Sequence, residues 1–183
     1  MKKIDTSSWK NFRIRELFYK LDLRCRKSGF NKVSDCSETP TAEFVLPLVN
    51  AKHFNNGIQF YGRIEDWDSV EMTIDIVSNG AIATGDVYAQ PQRTGVLWDA
   101  YLIKSYERIN AKETLFFLST VIEKCVKQKF GYDNKCTWNK VKEEFIKLPV
   151  TSEGVPDWQY MEIYMKRIMD RQQLNLNALL SVQ

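Results

Sequence analysis

The spacing of apolar residues changes once along this chain. Up to residue 103 they alternate with polar residues or form short blocks, and from residue 111 they recur at intervals of three and four. The first pattern predicts strands and the second predicts helices. We expect a strand and a short helix at 9–17, strands at 43–49, 70–77, 81–88 and 96–103, and helices at 111–129, 137–146 and from 158 onward. Strands followed by helices, without regular alternation, predict an α+β fold with a mixed or antiparallel β-rich part.

Polar segments separate these elements. Residues 21–41 and 51–57 contain Gly, Asn and several charged residues, which predicts loops. Asn79-Gly80 stands between two predicted strands, and both residues tolerate a positive φ, so the pair predicts a tight hairpin turn. The strand before this turn is expected to bury one face containing Met72, Ile74 and Ile76.

The last predicted helix has the clearest signals. Asp157 lies where an N-cap belongs, directly after the Gly-Pro break at 153–156. The residues that follow have the spacing of a coiled-coil seam: Trp158, Met161, Met165, Ile168, Gln172, Asn175, Leu179 and Val182. We predict a globular domain at 1–150 and a long helix at 151–183 that pairs with a partner helix. The alternative is a helix that packs on its own domain as far as Ile168 and frays after Asp170.

Composition excludes several classes of protein. The chain has 183 residues, 44% of them hydrophobic, which is enough for a packed core. No apolar run approaches the roughly 20 residues of a membrane span, and the basic N-terminus lacks the apolar segment of an export signal. We therefore predict a cytoplasmic protein with no membrane contact, whose four cysteines are reduced. A zinc site is not predicted, since His53 is the single histidine.

The charges are unevenly distributed, although the net charge is only +3. Residues 1–35 carry a net +6, residues 36–107 a net −6, residues 108–147 a net +4, and the remainder −1. Two basic segments on either side of an acidic one can fold into a basic surface that suits a polyanion. A mixed, solvated exterior is the alternative.

No catalytic constellation stands out in the sequence. It contains no P-loop, and neither the Asn/Asp-Pro-Pro-Tyr/Phe motif nor the Gly-rich cofactor loop of an amino-methyltransferase. Asp133-Asn134-Lys135 comes closest to the acid-x-Lys motif of nucleases, but it falls in a polar turn between predicted helices. We therefore predict no catalytic residue, no metal and no cofactor in this chain.

Several motifs, taken in order, resemble one protein family. Residues 146–150 (IKLPV) and 154–164 (GVPDWQYMEIY) resemble a conserved segment of the DNA-specificity (S) subunits of type I restriction–modification systems and of their type IIB/IIG relatives. Three further segments resemble the opening, the central hairpin and the turn before the distal helix of the family's target-recognition domain. They are 9–14 with Leu17 and Phe18, 78–80 with Gly85 and Tyr88, and 130–132 with Lys135 and Trp138.

This resemblance implies a non-catalytic specificity subunit. A target-recognition domain would occupy 1–150, and a spacer helix 151–183. In the family two such units usually lie in tandem, and their antiparallel helices set the distance between two DNA half-sites. The single unit here implies a homodimer or pairing with a second specificity half. The implied partners are double-stranded DNA, a methyltransferase subunit that binds S-adenosylmethionine, and in some complexes a restriction subunit.

Nine residues are candidates for DNA contact: Lys52, His53, Asn55, Asn56, Asn79, Arg93, Tyr132, Lys135 and Lys140. Asn and Lys side chains can read the edges of adenine and guanine, and Lys or a backbone N–H beside glycine can contact phosphate. Three of these groups also have a purely structural alternative. Residues 51–57 can be an ordinary polar loop, 78–80 a simple turn, and Arg93 a solvated charge.

Two other functions are compatible with the sequence. The chain could be a small stand-alone nuclease, which metal-dependent DNA cleavage by the purified chain would reveal. It could also be an adaptor that binds proteins through its terminal helix, and this adaptor would lack salt-dependent DNA binding.

Overall fold

The β part of the chain consists of two four-stranded sheets and a two-stranded ribbon. The computed structural model describes residues 4–181. Its strands are β1 (Lys10–Arg13), β2 (Phe18–Lys20), β3 (Cys36–Ser37), β4 (Leu46–Val49), β5 (Ile58–Gly62), β6 (Thr73–Val77), β7 (Val87–Gln90), β8 (Gly95–Val96), β9 (Ala100–Ser105) and β10 (Phe145–Leu148). Its helices are α1 (Ile14–Leu17), α2 (Lys32–Asp35), α3 (Lys112–Val126), α4 (Trp138–Val141) and α5 (Trp158–Leu180), with 3₁₀ turns at Asn55–Gly57 and Ile64–Asp66.

The strand order confirms the predicted α+β class. One sheet has the order β2-β9-β6-β7 and is antiparallel throughout. The other has the order β3-β5-β4-β8, in which β4 and β8 run parallel. β1 pairs with β10, so residues near the N-terminus contact the segment that leads into the last helix.

The first sheet is covered on both faces. Ile74 and Ile76 of β6 lie in one apolar cluster with Leu118 of α3. On the other face, Val49 of β4 packs with Leu102 of β9. The predicted face is confirmed, because Met72, Ile74 and Ile76 all lie in or against the cluster that contains Leu118. The opposite face is buried as well, so all five residues of β6 are buried. Met72 precedes the strand and has a positive φ of 55°.

The hairpin between β6 and β7 is real, but its connection is longer than the sequence predicted. β7 begins at Val87 rather than at residue 81. Ser78 and Asn79 donate their backbone N–H groups to the carbonyl of Asp99, 2.8 and 3.2 Å away, so they are held by β9's leading segment. The left-handed residue of the connection is Gly85, with φ of 81°, and a Cβ there would meet the Lys127 backbone at 3.2 Å.

The predicted helix at 137–146 is a single turn followed by a strand. α4 ends at Val141, and residues Phe145–Leu148 pair with β1. The reason is a local change to two-residue alternation: Ile146 and Leu148 are buried, whereas Phe145 and Lys147 are exposed. The helix predicted at 111–129 is confirmed as α3.

α5 begins where the sequence predicted, and its two halves have different environments. The Asp157 side chain accepts a hydrogen bond from the N–H of Tyr160 at 2.8 Å, as an N-cap does. Met161 is fully buried against α3, and Trp158, Tyr164 and Met165 are half-buried beside it. From residue 170 to residue 181 every side chain is exposed.

The assignment of the whole seam to a partner helix therefore needs correction. Trp158, Met161 and Met165 bury their side chains in their own domain because α3 lies beside them, and Ile168 is half-buried at the edge of the same contact. Gln172, Asn175 and Leu179 are exposed and available to a partner, and Val182 lies outside the described residues. Within residues 4–181 no helix is long and apolar enough to cross a membrane.

The two halves of α5 should respond differently to truncation of an apolar side chain. We expect Met161→Ala to lower the free energy of unfolding by about 2–5 kcal/mol, because it leaves a cavity in the core. The matched change Leu176→Ala, at a half-exposed position of the distal half, should alter it by about 0.5 kcal/mol or less. Urea denaturation measures both values. Similar losses for the two variants would show that the distal half is also packed on the domain.

Candidate nucleic-acid interface

Four segments meet at one end of the sheets and are joined by hydrogen bonds. The Asn50 side-chain oxygen accepts the N–H of Asp99 at 2.8 Å, and the Asn79 amide donates to the Asp99 carboxylate at 3.0 Å. The N–H of Cys136 donates to the carbonyl of Ser78 at 3.0 Å. The loop at 50–57, the connection at 78–86 and the turn at 130–137, which the sequence analysis singled out separately, are therefore neighbours.

The loop at 52–57 lies along β7, the edge strand of its sheet. The N–H of Phe54 donates to the Tyr88 hydroxyl at 3.0 Å. The Asn56 amide donates to the carbonyl of Ala89 at 3.1 Å and to the Gln90 side chain at 3.2 Å, and Gln90 donates back to the Asn56 carbonyl at 2.7 Å. This pairing closes the open edge of β7 at the loop, so the loop has a defined position rather than a free one.

Four successive residues of this loop have a left-handed backbone: Phe54, Asn55, Asn56 and Gly57. Such a conformation is strained for residues other than glycine, although Asn tolerates it better than most. Asn55 offsets part of the strain by donating its amide to the carbonyl of Ile58 at 2.9 Å. Gly57 is required for a second reason as well, since a Cβ there would lie 2.4 Å from a carboxylate oxygen of Asp75.

The buried carboxylate of Asp86 fixes the position of this loop by binding His53. Its side chain is 3% exposed and lies 2.6 Å from Nδ1 of His53. It also forms an ion pair with Lys127 and accepts a hydrogen bond from the Tyr88 hydroxyl at 3.3 Å. Burial, together with the charge of Asp86, raises the pKa of Tyr88 to about 12. Burial also raises the pKa of Glu123, which faces the same negative charge from α3.

Lys127 extends this arrangement to the second loop. Besides Asp86, its ammonium group donates to the carbonyls of Ile82 at 2.9 Å and Thr84 at 3.2 Å. One ion pair thus connects the loop at 52–57, the connection at 78–86 and the end of α3. Sequence reasoning missed both members of the pair, because neither stands in a motif and they are far apart in the chain. The positive φ of Gly85, which brings the connection against Lys127, is visible only in the fold.

Buried side chains without hydrogen-bond partners lie between the loop and the sheet. Both oxygens of Asp75 and the hydroxyl of Thr73 are buried without a hydrogen-bond partner. Burial first, and then the nearby charge of Asp86, raises the pKa of Asp75 well above the usual value for an aspartate. The Asp75 carboxyl, which lies next to Gly57, therefore keeps its proton to a higher pH in the folded chain than a free aspartate does.

The predicted contact residues divide into three groups. Lys52, Asn55, Tyr132 and Lys135 are exposed, although the Asn55 amide also donates to the carbonyl of Ile58. The side-chain amides of Asn56 and Asn79 and the imidazole of His53 are engaged in the internal hydrogen bonds described above, and Lys140 donates to Asn134 at 2.6 Å. Arg93 lies at the opposite end of β7, on the connection to β8, where it is exposed and reaches only the Ser69 hydroxyl at 3.5 Å.

Two further features of the surface are an apolar groove and the spacing of its possible metal-binding side chains. The groove has a volume of about 840 Å³ and lies between α3, β10 and the first half of α5; Trp9, Phe117, Val121, Tyr164, Met165 and Ile168 are among its lining residues. Among residues 4–181, no group of three or more His, Cys, Asp or Glu side chains is placed to hold a metal ion.

Comparisons with known proteins agree with this geometry. Residues 6–178 match the model of the type I restriction modification DNA specificity domain, and the chain belongs to that family. It is 24% identical over 172 residues to the specificity subunit S.BcgI of a type II restriction enzyme from Heyndrickxia coagulans; the match covers 93% of this chain and 46% of that subunit. The resemblance noted in the sequence is thereby confirmed.

Solved structures show the same fold. An S subunit of a type I restriction–modification system from M. genitalium aligns with a TM-score of 0.54 at 14% identity, over 96% of this chain and 44% of that one. The HsdS subunit from Thermoanaerobacter tengcongensis aligns with a TM-score of 0.54 at 12% identity, over 97% and 41%. This chain therefore spans a little under half the length of the relatives it matches.

The raised pKa of the Asp75 carboxyl predicts a specific pH dependence of stability. A carboxyl whose pKa is raised by folding favours the folded state fully below its unfolded pKa of about 3.9, and the advantage is lost as the pH rises toward the folded value. Asp75→Asn removes the ionisation with little change of shape. We therefore expect the variant to gain stability relative to the wild type as the pH rises from 4 to 7, by up to about 1.4 kcal/mol per pH unit.

Urea denaturation at a series of pH values measures this difference directly. Asp170→Asn, at an exposed position of α5, controls for the loss of one negative charge. Wild type and Asp75→Asn curves that stay parallel between pH 4 and pH 7 would mean that the Asp75 carboxyl ionises as readily in the folded chain as in the unfolded one.

Proposed function

We propose that this chain recognises one half of a bipartite DNA site and brings a methyltransferase to it. The observation that carries the proposal is the clustering of three loops, with exposed Lys52, Asn55 and Lys135, at one end of a domain that belongs to the DNA-specificity family. Loops held by a rigid scaffold are the usual position for binding residues. In this proposal residues 1–150 recognise DNA and residues 151–183 form the spacer and assembly helix.

The proposed contacts separate base reading from backbone binding. Asn55 and Lys52 lie on the loop at 52–57, and both side-chain types can bond to base edges in the major groove. Tyr132, Lys135 and Lys140 lie on or beside the turn at 130–137, where they would bind phosphate and sugar. Asn56, Asn79 and His53 keep the loops in place, and Arg93 would reach DNA only if the duplex extends past β7.

The chemistry is assigned to a partner. The proteins that this chain resembles are named as specificity subunits of restriction–modification enzymes, and a specificity subunit selects the site at which another subunit acts. In the proposed complex a methyltransferase binds S-adenosylmethionine and modifies the DNA, a restriction subunit joins in some assemblies, and this chain is not catalytic. The complex would act on the cell's DNA in the cytoplasm.

DNA binding by the assembled complex tests this proposal. We expect Asn55→Ala to weaken binding to the preferred duplex by about 1–3 kcal/mol and to leave binding to random duplex nearly unchanged, because a base contact is lost. Lys135→Ala should weaken both by similar amounts and reduce the salt dependence by about one phosphate contact. Lys112→Ala, an exposed lysine at the far end of α3, is the matched control.

The preferred duplex is obtained by selecting from a random library with the wild-type complex. Equal losses on both duplexes for Asn55→Ala would remove this loop from base reading. A wild-type complex that shows no salt-dependent DNA binding would refute the proposed function itself.

The second part of the proposal is that two copies pair through their terminal helices. The chain spans less than half of its relatives, and the distal half of α5 exposes Leu174, Leu176, Leu179 and Leu180 to solvent. An exposed run of leucines on a helix that extends beyond its domain is a surface that needs a cover. A second copy running antiparallel would bring these leucines toward the apolar groove beside the first half of α5, and C₂ symmetry would repeat the contact.

Charges placed in the distal half test this pairing. Leu176→Asp together with Leu179→Asp would put two carboxylates into the contact, where desolvation makes them unfavourable. We expect light scattering to show a dimer for the wild type and a monomer for the double variant. The variant domain should still unfold cooperatively, because both positions are exposed in the single chain. Gln173→Asp with Asn177→Asp, at two exposed positions of the same helix, adds the same two negative charges and controls for charge alone. If the wild type is a single copy both alone and with its methyltransferase, the pairing is wrong.

A further inference from the structure

Phe54 has a backbone conformation that an aromatic residue does not adopt without cost. Its φ is 67° and its ψ is −170°, a region that is populated almost entirely by glycine. Its side chain is 73% exposed, so no burial of the ring offsets the strain. Strained residues of this kind persist only where the surrounding structure determines them, and they concentrate at functional sites.

The surroundings of Phe54 show how this conformation is maintained. His53 before it is held by the buried Asp86, and the ring of His53 lies 3.9 Å from the ring of Phe54, centroid to centroid. The N–H of Phe54 itself is bound by the Tyr88 hydroxyl at 3.0 Å, and Asn56 after it is bound to β7. Backbone and neighbours are thus fixed, while the residue itself stays largely exposed.

Ile82 on the neighbouring connection has a comparable position. It is also 73% exposed, and its carbonyl accepts a hydrogen bond from Lys127, the same lysine that pairs with Asp86. The two members of one ion pair therefore fix the backbone beside two exposed apolar side chains. Asp86 binds His53, next to Phe54, and Lys127 binds the carbonyl of Ile82. Around Phe54 stand the exposed Lys52 and Asn55, which are side chains that bind phosphates and base edges.

We propose that Phe54 inserts as an apolar wedge between two base pairs of the DNA and partly unstacks them, with Ile82 in contact beside it. This inference rests on the proposed function and names the contact by which the loop engages DNA. A ring on a rigid loop suits this role, because apolar side chains inserted at a base step have to hold the step open against stacking. A single ring among polar side chains suits a protein interface less well, since the core of such an interface is a contiguous apolar patch.

Chemical probing of DNA in the assembled complex tests the wedge. Permanganate reports unstacked pyrimidines and diethyl pyrocarbonate reports unstacked purines, so together they cover every base of the selected duplex. We expect the wild-type complex to make one base step hyper-reactive. Phe54→Ala should abolish that reactivity and weaken binding to the selected duplex by about tenfold or more. Ile82→Ala should reduce both effects, and Val155→Ala, a half-exposed valine on the turn before α5, should change neither.

Phe54→Gly separates a functional role from a structural one. Glycine adopts this φ and ψ freely, so the variant should unfold at a higher temperature than the wild type, by at least about 2 °C. If the ring is a wedge, the same variant loses the hyper-reactive step and the tenfold in affinity. A residue kept for stability would give the opposite combination, a lower unfolding temperature with wild-type affinity.

The outcomes distinguish the wedge from the proposed function. A wild-type complex that binds its selected duplex tightly and leaves every step unreactive overturns the wedge and leaves DNA recognition intact. Phe54→Ala with wild-type affinity and reactivity also overturns it. A wild-type complex that selects no duplex and shows no salt-dependent binding overturns both.

Discussion

Asp86 is almost completely removed from solvent, so its negative charge has to be met by groups of the protein. Three groups bind this carboxylate: Lys127 at the end of α3, His53 on one loop and Tyr88 on the adjacent strand. Removing one partner from a buried ion pair leaves an uncompensated charge, which is far more destabilising than a missing surface pair. This carboxylate therefore connects the two loops that would face DNA to the core of the domain, in addition to the hydrogen bonds that Asn50, Asn56 and Asn79 make.

The same region contains groups that reduce stability. The unpartnered Asp75 carboxyl and the left-handed backbone at Phe54, Asn55 and Asn56 all oppose folding. The core of the domain is large enough to tolerate them: α3 and the first half of α5 bury a continuous apolar cluster against β6 and β9. Unfavourable local groups beside a well-packed core are typical of binding sites, where a fixed geometry matters more than maximal stability.

Local signals in the sequence predicted the elements that depend on local physics. The period of three and four gave α3, and Asp157 gave the start of α5, because helix periodicity and N-capping act within a few residues. Only the start of β10 was mistaken for helix: the helix was predicted to continue to Ile146, although the alternation of buried and exposed residues begins at Phe145 and pairs with β1. The seam of α5 was read as a partner contact because the spacing of Trp158, Met161 and Met165 reports a buried face and does not say what buries it.

The sequence predicted the candidate site as separate polar loops. It did not predict that these loops lie next to one another in the fold. Asn50, Asp99 and the pair Asp86–Lys127, which bring the loops together, have no periodic spacing and no motif. Phe54 was passed over because an aromatic residue in a polar loop has no signal until its backbone angles are known. Family resemblance supplied the class of function, while the identity of the residues that shape the site came from the fold.

The structure of the loop at 52–57 determines which of its positions can tolerate substitution during evolution. Its backbone path is determined by side chains outside its tip, namely Asp86, Tyr88 and Gln90, and by Gly57. The exposed positions Lys52, Phe54 and Asn55 contribute little burial, so they can be exchanged without rebuilding the core. In such a loop, the residues that determine the backbone path are different from the residues exposed at the tip. If the loop reads DNA as proposed, single substitutions at its tip can change the preferred target, whereas substitutions at Asp86 or Gly57 would destabilise the fold.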